Sequence, residues 1–313
     1  MTPFAPGSVS LRLYPHDLAP STVIEEMRAQ AALAVDAGFH GVMTSEHHGG
    51  FAGYLPNPLQ VAGWLLEAMP AGWAAPCPML LPLRPAALVA EEVAWLAARF
   101  PGRVGLGVAA GALEQDFTVM GAPMGERATR FAEGIALVAA ALRGEADGVL
   151  AGDPAIRACA RSPVPVLSAA MSATAVRRAA AYGVGLILDS LTTAERTREL
   201  VDEFRAAGGT GPCVLIRKVW VGPPPGDLVD KQVDVYRSYS GNKAQATWSD
   251  AQLVSGAGAS VAERLAADLT ATGADALNLR IHVPGVDPRA ARDQIQRLGD
   301  EVLPSFAQRG VSP

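Results

Sequence analysis

Residues 74–109 read AAPCPMLLPLRPAALVAEEVAWLAARFPGRVGLGVA and contain a strand, a helix and a second strand in that order. The apolar runs Ala74–Leu80 and Val104–Ala109 show no polar alternation, which is typical of strands buried on both faces of a parallel sheet. Between them, a helical pattern starts at Pro85 and stops before Gly102. The stretch therefore predicts one strand–helix unit followed by the next strand.

The same alternation continues along the whole chain. Eight strands, each followed by a helix, favour a closed (β/α)8 TIM barrel of the α/β class over an open doubly wound sheet. We predict a single barrel domain over residues 1–313. The six further apolar runs predicted as strands are Val9–Tyr14, Gly41–Ser45, Val164–Ser168, Gly185–Asp189, Val214–Val221 and Ala276–His282.

Helix starts carry their own signals. Thr22, Thr192 and Ser260 each precede a glutamate by three residues, and this capping-box pattern predicts a helix N-terminus at each of them. Asp287 before Pro288 predicts another N-terminus.

Residues 223–258 interrupt the alternation, because they are too long and too polar for a simple connection. They follow the seventh strand, on the face where barrel active sites are built. The segment is therefore either a lid over the site or a mobile insertion.

Composition limits the class of partner. Half of the residues are apolar, and the formal net charge of −5 gives no basic surface for nucleic acid or an anionic membrane, so we expect a small-molecule substrate. The cysteines Cys77, Cys159 and Cys213 lie far apart without metal-binding spacing, which predicts reduced thiols, no structural zinc and a cytoplasmic location. The N-terminus does not have the pattern of a signal peptide.

The second predicted strand ends in TSEHHGG, where Glu46 directly precedes His47 and His48. Catalytic groups of barrels lie at strand C-termini, and an imidazole titrates near neutral pH, so one histidine could move a proton or stabilise an oxyanion. Successive side chains point to opposite sides, so the two cannot share one role. The alternatives are a pair that hydrogen-bonds loop carbonyls and a metal site; no further ligands are evident, and we predict no metal.

The fifth predicted strand ends in SAAMSATA, residues 168–175, and leads directly into a helix. A serine N-cap among small residues leaves backbone N–H groups open to an anion, and the helix dipole attracts it. Ser168, Met171, Ser172 and Ala173 are therefore candidates to bind a cofactor phosphate. An ordinary helix cap is the alternative.

These segments together resemble the luciferase-like, flavin-dependent monooxygenase superfamily, from Val9 to about Phe306. The resemblance includes TSEHHGG followed by YLPNP, the run LLPLRPAALVAEEVAWLAARFPGRVGLGV, DFTVMG, and SPVPVLSAAMSATAVRRAAAYG. It implies a barrel that binds a flavin or a deazaflavin.

The resemblance also implies roles for individual residues. His47 is the candidate catalytic histidine, supported by His48 and Glu46, and Ser172 matches the flavin-phosphate serine. The family's cis peptide beneath the isoalloxazine ring matches Cys77–Pro78, which predicts a cis bond there, at a position where proline lowers its cost.

The sequence Gly105-x-Gly107-x-x-Ala110 is similar to a dinucleotide fingerprint, but a loop follows it instead of the required helix. We interpret the glycines as allowing a flavin to approach the strand end. Ala110 stands where the luciferases carry a phosphate-binding arginine. Either Arg177 or Arg178 compensates for that charge, or the cofactor tail is held differently.

The implied activity is monooxygenation of a small organic substrate with O2 and reduced FMN, which a separate flavin reductase would supply. A deazaflavin (coenzyme F-420)-dependent dehydrogenase or reductase and a catalytically silent flavin-binding subunit are the alternatives. Arg280 and His282 end the last predicted strand and could face the barrel mouth. The alternative is that Arg280 forms an ion pair at the rim.

Two predicted helices, NPLQVAGWLLEAM and PAALVAEEVAWLAARF, carry Trp64 and Trp95 outside the apolar stripe that faces the barrel. Aromatic residues on a second face indicate an interface, and the resemblance implies a homodimer through these helices. The alternative is that the two tryptophans pack on each other within one subunit.

Overall fold

The computed structural model of the chain describes residues 1–239, 245, 246, 248 and 253–308. Within these residues the backbone forms ten strands, which are β1 Val9–Arg12, β2 Gly41–Thr44, β3 Trp73–Pro76, β4 Met79–Leu80, β5 Leu106–Ala109, β6 Val166–Ala169, β7 Gly185–Leu188, β8 Cys213–Val221, β9 Val254–Gly256 and β10 Ala276–Arg280.

The strands form a closed parallel barrel. Hydrogen-bonded neighbours follow the order β3-β2-β1-β10-β8-β7-β6-β5-β4, and every pair along this path is parallel. A bridge between Ala74 of β3 and Val104, two residues before β5, closes the ring. β3 and β4 are two halves of one barrel strand, so eight strands form the ring of the barrel. The predicted (β/α)8 barrel is confirmed.

All eight predicted strands occur at the predicted places, but the third is interrupted. The Cys77–Pro78 peptide bond between β3 and β4 is cis, as predicted. β9 lies outside the ring and pairs with the end of β8.

Helices alternate with the strands and cover the outside of the barrel. No helix in the described part of the chain is long and apolar enough to cross a membrane. The helices are α1 Pro20–Asp36, α2 Pro58–Ala68, α3 Ala86–Arg99, α4 Glu114–Val119, α5 Arg127–Ala141, α6 Pro154–Cys159, α7 Ala173–Ala181, α8 Ala194–Ala206, α9 Gly226–Tyr239, α10 Gly258–Thr272, α11 Pro288–Arg297 and α12 Leu303–Gln308.

Residues 223–258 contain regular structure. α9 and β9 lie within this segment. Residues 240–244, 247 and 249–252 are outside the described residues, so the predicted lid or insertion stays a prediction.

The three capping boxes were wrong in position. α1 begins at Pro20, since a proline at the first position needs no capping partner for its missing N–H, and Thr22 lies inside the first turn. Thr193, not Thr192, caps α8. α10 begins at Gly258, two residues before the predicted Ser260. A local pattern thus locates a helix start only within a turn. Asp287 caps α11 as predicted.

The N-terminal end of the barrel is filled by side chains. Phe4 is fully buried and packs edge-on against Trp73, with ring centroids 5.2 Å apart. A Cβ atom on Gly105 would lie 2.7 Å from the Phe4 ring, so glycine is required there. Because this end is plugged, the chemistry belongs at the other end, where the strands finish.

Candidate active site

A cavity of about 450 Å³, here called the mouth cavity, lies at the C-terminal ends of the barrel strands. Five predicted site residues line it, namely Glu46, His47, Pro78, Ala110 and Met171. Its other charged and aromatic lining residues are Arg12, Tyr14, Tyr54, Asp189 and Arg280.

The His47 ring is oriented by Asp116 of α4. The distance from His47 Nδ1 to Asp116 Oδ2 is 2.8 Å. Because a carboxylate only accepts, the imidazole proton belongs on Nδ1, and in the described part of the chain Nε2 has no hydrogen-bond partner. The rings of Phe51 and Tyr54 lie 4.7 and 4.4 Å from the His47 ring. An imidazole held in this way can take up or release a proton at Nε2.

The same carboxylate anchors the loop that carries the histidines. Asp116 is fully buried, and its Oδ1 accepts a 2.7 Å hydrogen bond from the backbone N–H of His48. Gln115 donates to the carbonyls of His48 and Gly49 at 3.2 and 3.0 Å. α4 therefore fixes both the ring and the backbone of this loop.

Glu46 and His48 form a separate, buried pair. The His48 Nε2 to Glu46 Oε1 distance is 2.8 Å, and Arg84 donates to the same carboxylate at 2.9 Å. Glu46 Oε2 also accepts the backbone N–H of Leu80 at 2.7 Å. These bonds tie the end of β2 to β4. The adjacent histidines thus have different surroundings, and only His47 lines the cavity; the supporting roles of Glu46 and His48 in catalysis stay predictions.

Arg12 places a positive charge inside the barrel. Its side chain donates to Asn278 Oδ1 at 2.6 Å, to the Cys77 carbonyl at 2.7 Å and to the Ser45 hydroxyl. Arg12 is only 2% exposed, and within the described residues no carboxylate pairs with it. A buried cation with uncharged partners is costly unless an anion compensates it. The cavity floor therefore suits a negatively charged group.

Tyr14 lies beside the cations Arg12 and Arg280. The Arg280 guanidinium carbon lies 4.1 Å from the centre of the Tyr14 ring. Burial alone would raise the pKa of Tyr14, but the charges of Arg280 and Arg12 and a hydrogen bond with Tyr54 together lower it below its usual value. The phenol is therefore a stronger acid than an exposed tyrosine.

Lys218 of β8 adds a third basic group, in register with Arg280 on β10. Burial, followed by the charge of Arg280, lowers the pKa of Lys218 to about 7, although Asp189 acts in the opposite direction. One oxygen of Asp189 accepts the backbone N–H groups of Leu191 and Thr192 at 2.8 Å each. The charge of Lys218 therefore changes near neutral pH.

Ser172 caps α7 as predicted. Its hydroxyl accepts a 3.3 Å hydrogen bond from the backbone N–H of Ala175, and its side chain is exposed to solvent. Met171 is also exposed and lines the mouth cavity. The helix N-terminus is thus open beside the cavity, but the binding of a phosphate there stays a prediction.

Neither arginine of α7 contacts this terminus. Arg177 is paired with Glu203 of α8, and the guanidinium of Arg178 lies 6.0 Å from the Phe131 ring of α5. Both residues belong to the second turn, so their contacts point to neighbouring helices. The hypothesis that one of them replaces the missing charge at Ala110 gains no support from these contacts.

Packing inside the barrel requires glycine at position 107. A Cβ atom on this residue would lie 2.1 Å from the Cys77 sulfur, so glycine lets the two strands approach. Burial raises the pKa of the Cys77 thiol to about 11. Ser168 is likewise buried in β6. The cofactor-binding roles of Cys77, Gly107, Ser168 and Ala173 stay predictions.

Several site residues were not found from the sequence. Asp116 and Tyr54 lie inside the quoted motifs DFTVMG and YLPNP, but only the fold brings them to His47. Arg12 could have been noticed, because it is the one charged residue within the apolar run Val9–Tyr14. Arg280, which was predicted to face either the mouth or an ion pair, lines the mouth cavity.

A parallel barrel with titratable side chains gathered at its C-terminal mouth is the arrangement of (β/α)8-barrel enzymes. A profile of the luciferase-like monooxygenase family matches residues 8–295, and the chain therefore belongs to this family. Uncharacterized proteins of Mycobacterium tuberculosis and Mycobacterium bovis are 36% identical over 105 residues, which is 32% of this chain. The match spans 36% of the length of those relatives.

Solved structures share the fold at low identity. Monooxygenase RslO1 from Streptomyces bottropensis has a TM-score of 0.81 at 18% identity, over 96% of this chain and 99% of that one. The oxygenating constituent of 3,6-diketocamphane monooxygenase from Pseudomonas putida, in complex with FMN, has a TM-score of 0.78 at 17% identity, over 96% of this chain and 98% of that one. An F-420-dependent secondary alcohol dehydrogenase in complex with an F-420–acetone adduct has a TM-score of 0.73 at 15% identity, over 96% of this chain and 98% of that one.

Proposed function

We propose that the protein is a flavin-dependent monooxygenase that uses reduced FMN and O2 on a small organic substrate. The observation that carries the proposal is the His47–Asp116 pair at the mouth cavity of a luciferase-like barrel. The FMN-bound diketocamphane monooxygenase, a structural neighbour, supports the choice of flavin.

The residues present suit a reduced flavin. Arg12 is buried without a carboxylate partner, so it would stabilise negative charge on the flavin ring, and Arg280 would add to this field. The open N-terminus of α7 at Ser172 would hold the phosphate. When bound, the reduced flavin supplies the electrons that activate O2.

His47 would manage protons beside the substrate. Asp116 keeps the proton on Nδ1, so Nε2 accepts a proton from the reacting molecule and later returns it. Phe51 and Tyr54 pack around the ring and would exclude water from this atom.

A deazaflavin-dependent dehydrogenase or reductase is the second candidate. Two observations favour it, namely the fold shared with an F-420-dependent alcohol dehydrogenase and the absence of an arginine at position 110. The reaction would then be hydride transfer without O2, in which His47 would again exchange the substrate proton.

Cofactor binding distinguishes the two candidate functions. The purified chain is titrated anaerobically with photoreduced FMN and with reduced F-420, and each loaded sample is then mixed with air, with free reduced FMN as the reference. We expect FMN to bind about tenfold more tightly or better, a difference of about 1.4 kcal/mol, and bound FMN to react with O2. Tight F-420 that stays reduced in air would support the dehydrogenase. Binding of FMN without turnover of any substrate would indicate a silent flavin-binding subunit.

We also infer a homodimer through α2 and α3. Trp64 and Trp95 are 39% and 54% exposed, and the Trp95 indole N–H donates to Asp153. No ring contact joins the two tryptophans within the described residues, which favours an interface over mutual packing. Light scattering should give twice the 32.4 kDa of the chain, and Trp95→Glu should halve that mass. A wild-type species of 32.4 kDa would contradict the dimer.

A separate flavin reductase would supply reduced FMN, and we place the protein in the cytoplasm. All three cysteines are free and buried, which suits a reducing compartment.

A further inference from the structure

A second cavity, here called the side cavity, lies next to the mouth cavity and has a volume of about 590 Å³. It is enclosed by the loop after β1, the start of α1, residues 50–57, the start of α2 and the loop after β10. Its size is within the range of small-molecule sites. Tyr54 lines both cavities.

The walls of the side cavity are mainly apolar and aromatic, with Phe51, Ile24 and Trp64 among them. The charged residue among its lining, Asp17, is exposed at the edge. An anionic ligand would therefore leave water without a positive charge in the walls, and a cationic ligand would meet only this exposed carboxylate, so either transfer is costly. The cavity favours an uncharged ligand.

His16 also lines the cavity, but its nitrogens are occupied. Nδ1 lies 3.0 Å from the Val286 carbonyl and must donate to it, while Nε2 lies 2.7 Å from the Gln30 amide nitrogen and accepts from it. Both ring nitrogens of His16 are thus engaged within the protein, and the ring has no further hydrogen bond to offer a ligand.

His282 differs in this respect. Its side chain is 4% exposed, and its Nδ1 is buried without a hydrogen-bond partner. Burial, followed by the charges of His16 and Arg280, lowers the pKa of His282 well below its usual value, so the ring is uncharged at neutral pH. Buried polar atoms without partners are rare in folded proteins. His282 lines the side cavity and no hydrogen bond to its ring is found among the described residues, so the ring is available to a polar group of a ligand.

The His282 ring reaches the cavity at Gly53. Its Cε1, which adjoins Nδ1, lies 3.9 Å from the position of a Cβ atom on Gly53, another lining residue. The other side of the ring stacks on Tyr14 of the mouth cavity at 5.4 Å. His282 and Tyr54 therefore stand at the boundary between the two cavities.

We propose that the side cavity binds a neutral, mainly apolar molecule whose carbonyl or hydroxyl oxygen hydrogen-bonds to the His282 ring. That this molecule is the substrate rests on the proposed function, because Tyr54 connects the cavity to the flavin site. The aromatic walls favour a ring-bearing compound.

Binding is tested with Prodan, a neutral naphthyl ketone whose emission shifts in an apolar site. The anionic anilinonaphthalene sulfonate serves as the charged counterpart. We expect Prodan to bind the wild-type protein and the sulfonate to bind more weakly. His282→Phe keeps an aromatic ring against Tyr14 but removes both ring nitrogens. Prodan affinity should therefore fall about 3- to 10-fold, the effect of one net hydrogen bond.

A second pair of variants tests the location. Ala52→Trp places an indole in the cavity wall and should abolish Prodan binding, whereas Val149→Trp adds the same group at a fully exposed position away from the cavity and should leave it unchanged. Thermal melting of each variant reports whether the fold is retained.

FMN titration of the same samples separates the two proposals. Prodan binding that depends on His282, in a protein that binds no flavin, would support the site and reject the proposed function. Equal Prodan affinity of wild type and His282→Phe would overturn the site even if flavin turnover is found. Displacement of Prodan by FMN would also overturn it, because the side cavity would then belong to the cofactor.

Discussion

The two neighbouring cavities differ in chemistry more than in size. The side cavity is larger, at about 590 Å³ against about 450 Å³, but Asp17 is the one charged residue in its described lining, and a buried nitrogen of His282 has no hydrogen-bond partner. In the mouth cavity, by contrast, the titratable groups are linked by short hydrogen bonds, with His47 on Asp116 and Glu46 on Arg84. Volume therefore indicates where a ligand fits, whereas oriented acid–base groups indicate where a reaction occurs.

Loss of the His47 ring should give the largest effect. His47→Ala removes the group proposed to exchange protons, so we expect kcat/KM with the reduced cofactor to fall about 10²-fold or more, while cofactor affinity changes little. The control is His40→Gln, because His40 is a histidine at the opposite end of the barrel that contacts the Val9 backbone. Full turnover in His47→Ala would remove the functional difference between the two cavities.

Asp116→Asn should have the next largest effect. The amide can no longer accept bonds from both the His47 ring and the His48 backbone, so the imidazole loses its orientation. We expect kcat to fall about tenfold, which is at the lower end of the range for a lost outer partner, and its pH profile to shift. Gln115→Ala loosens the same loop without touching His47. An equal loss in both variants would mean that Asp116 only anchors the loop.

Ser172→Ala tests the predicted phosphate site at the N-terminus of α7, beside the mouth cavity. Removal of one net hydrogen bond should weaken FMN binding by about 1 kcal/mol, or about fivefold. Riboflavin, which lacks the phosphate, is the matched ligand, and its affinity should be unchanged. If both flavins weaken equally, Ser172 stabilises α7 and does not contact the phosphate.

Lys218→Met tests the buried basic group of β8 through stability. The folded pKa of Lys218, about 7, is below its unfolded value, so the unfolded state binds more protons above pH 7. Wild-type stability from this group therefore rises with pH from about 7 to about 10.5 and is lowest below 7.

Methionine removes the buried charge with little change in volume. We expect its advantage over wild type to be about 1 kcal/mol greater at about pH 6 than at about pH 8. Urea denaturation at both pH values measures this difference. A pH-independent difference would show that Lys218 does not titrate in this range.

The sequence alone determined the barrel and the end of it that carries the site. Parallel strands buried on both faces must be apolar runs, so each strand was visible locally, including the interrupted third one. The TSEHHGG segment marked the pair His47 and His48 for the same reason, since their position follows from the strand that precedes them, and the resemblance to the family singled out His47.

Only the tertiary structure decided which groups meet. Asp116 lies 69 residues from His47, and Asn278 lies 266 from Arg12, so no local pattern can indicate either pair. The same holds for His282, which is notable because the folded chain surrounds it and leaves one nitrogen without a partner. Local patterns also misplaced three helix N-caps by one to three residues, because backbone packing and proline positions compete with a capping side chain. Periodicity specifies elements, but contacts between distant elements specify the site.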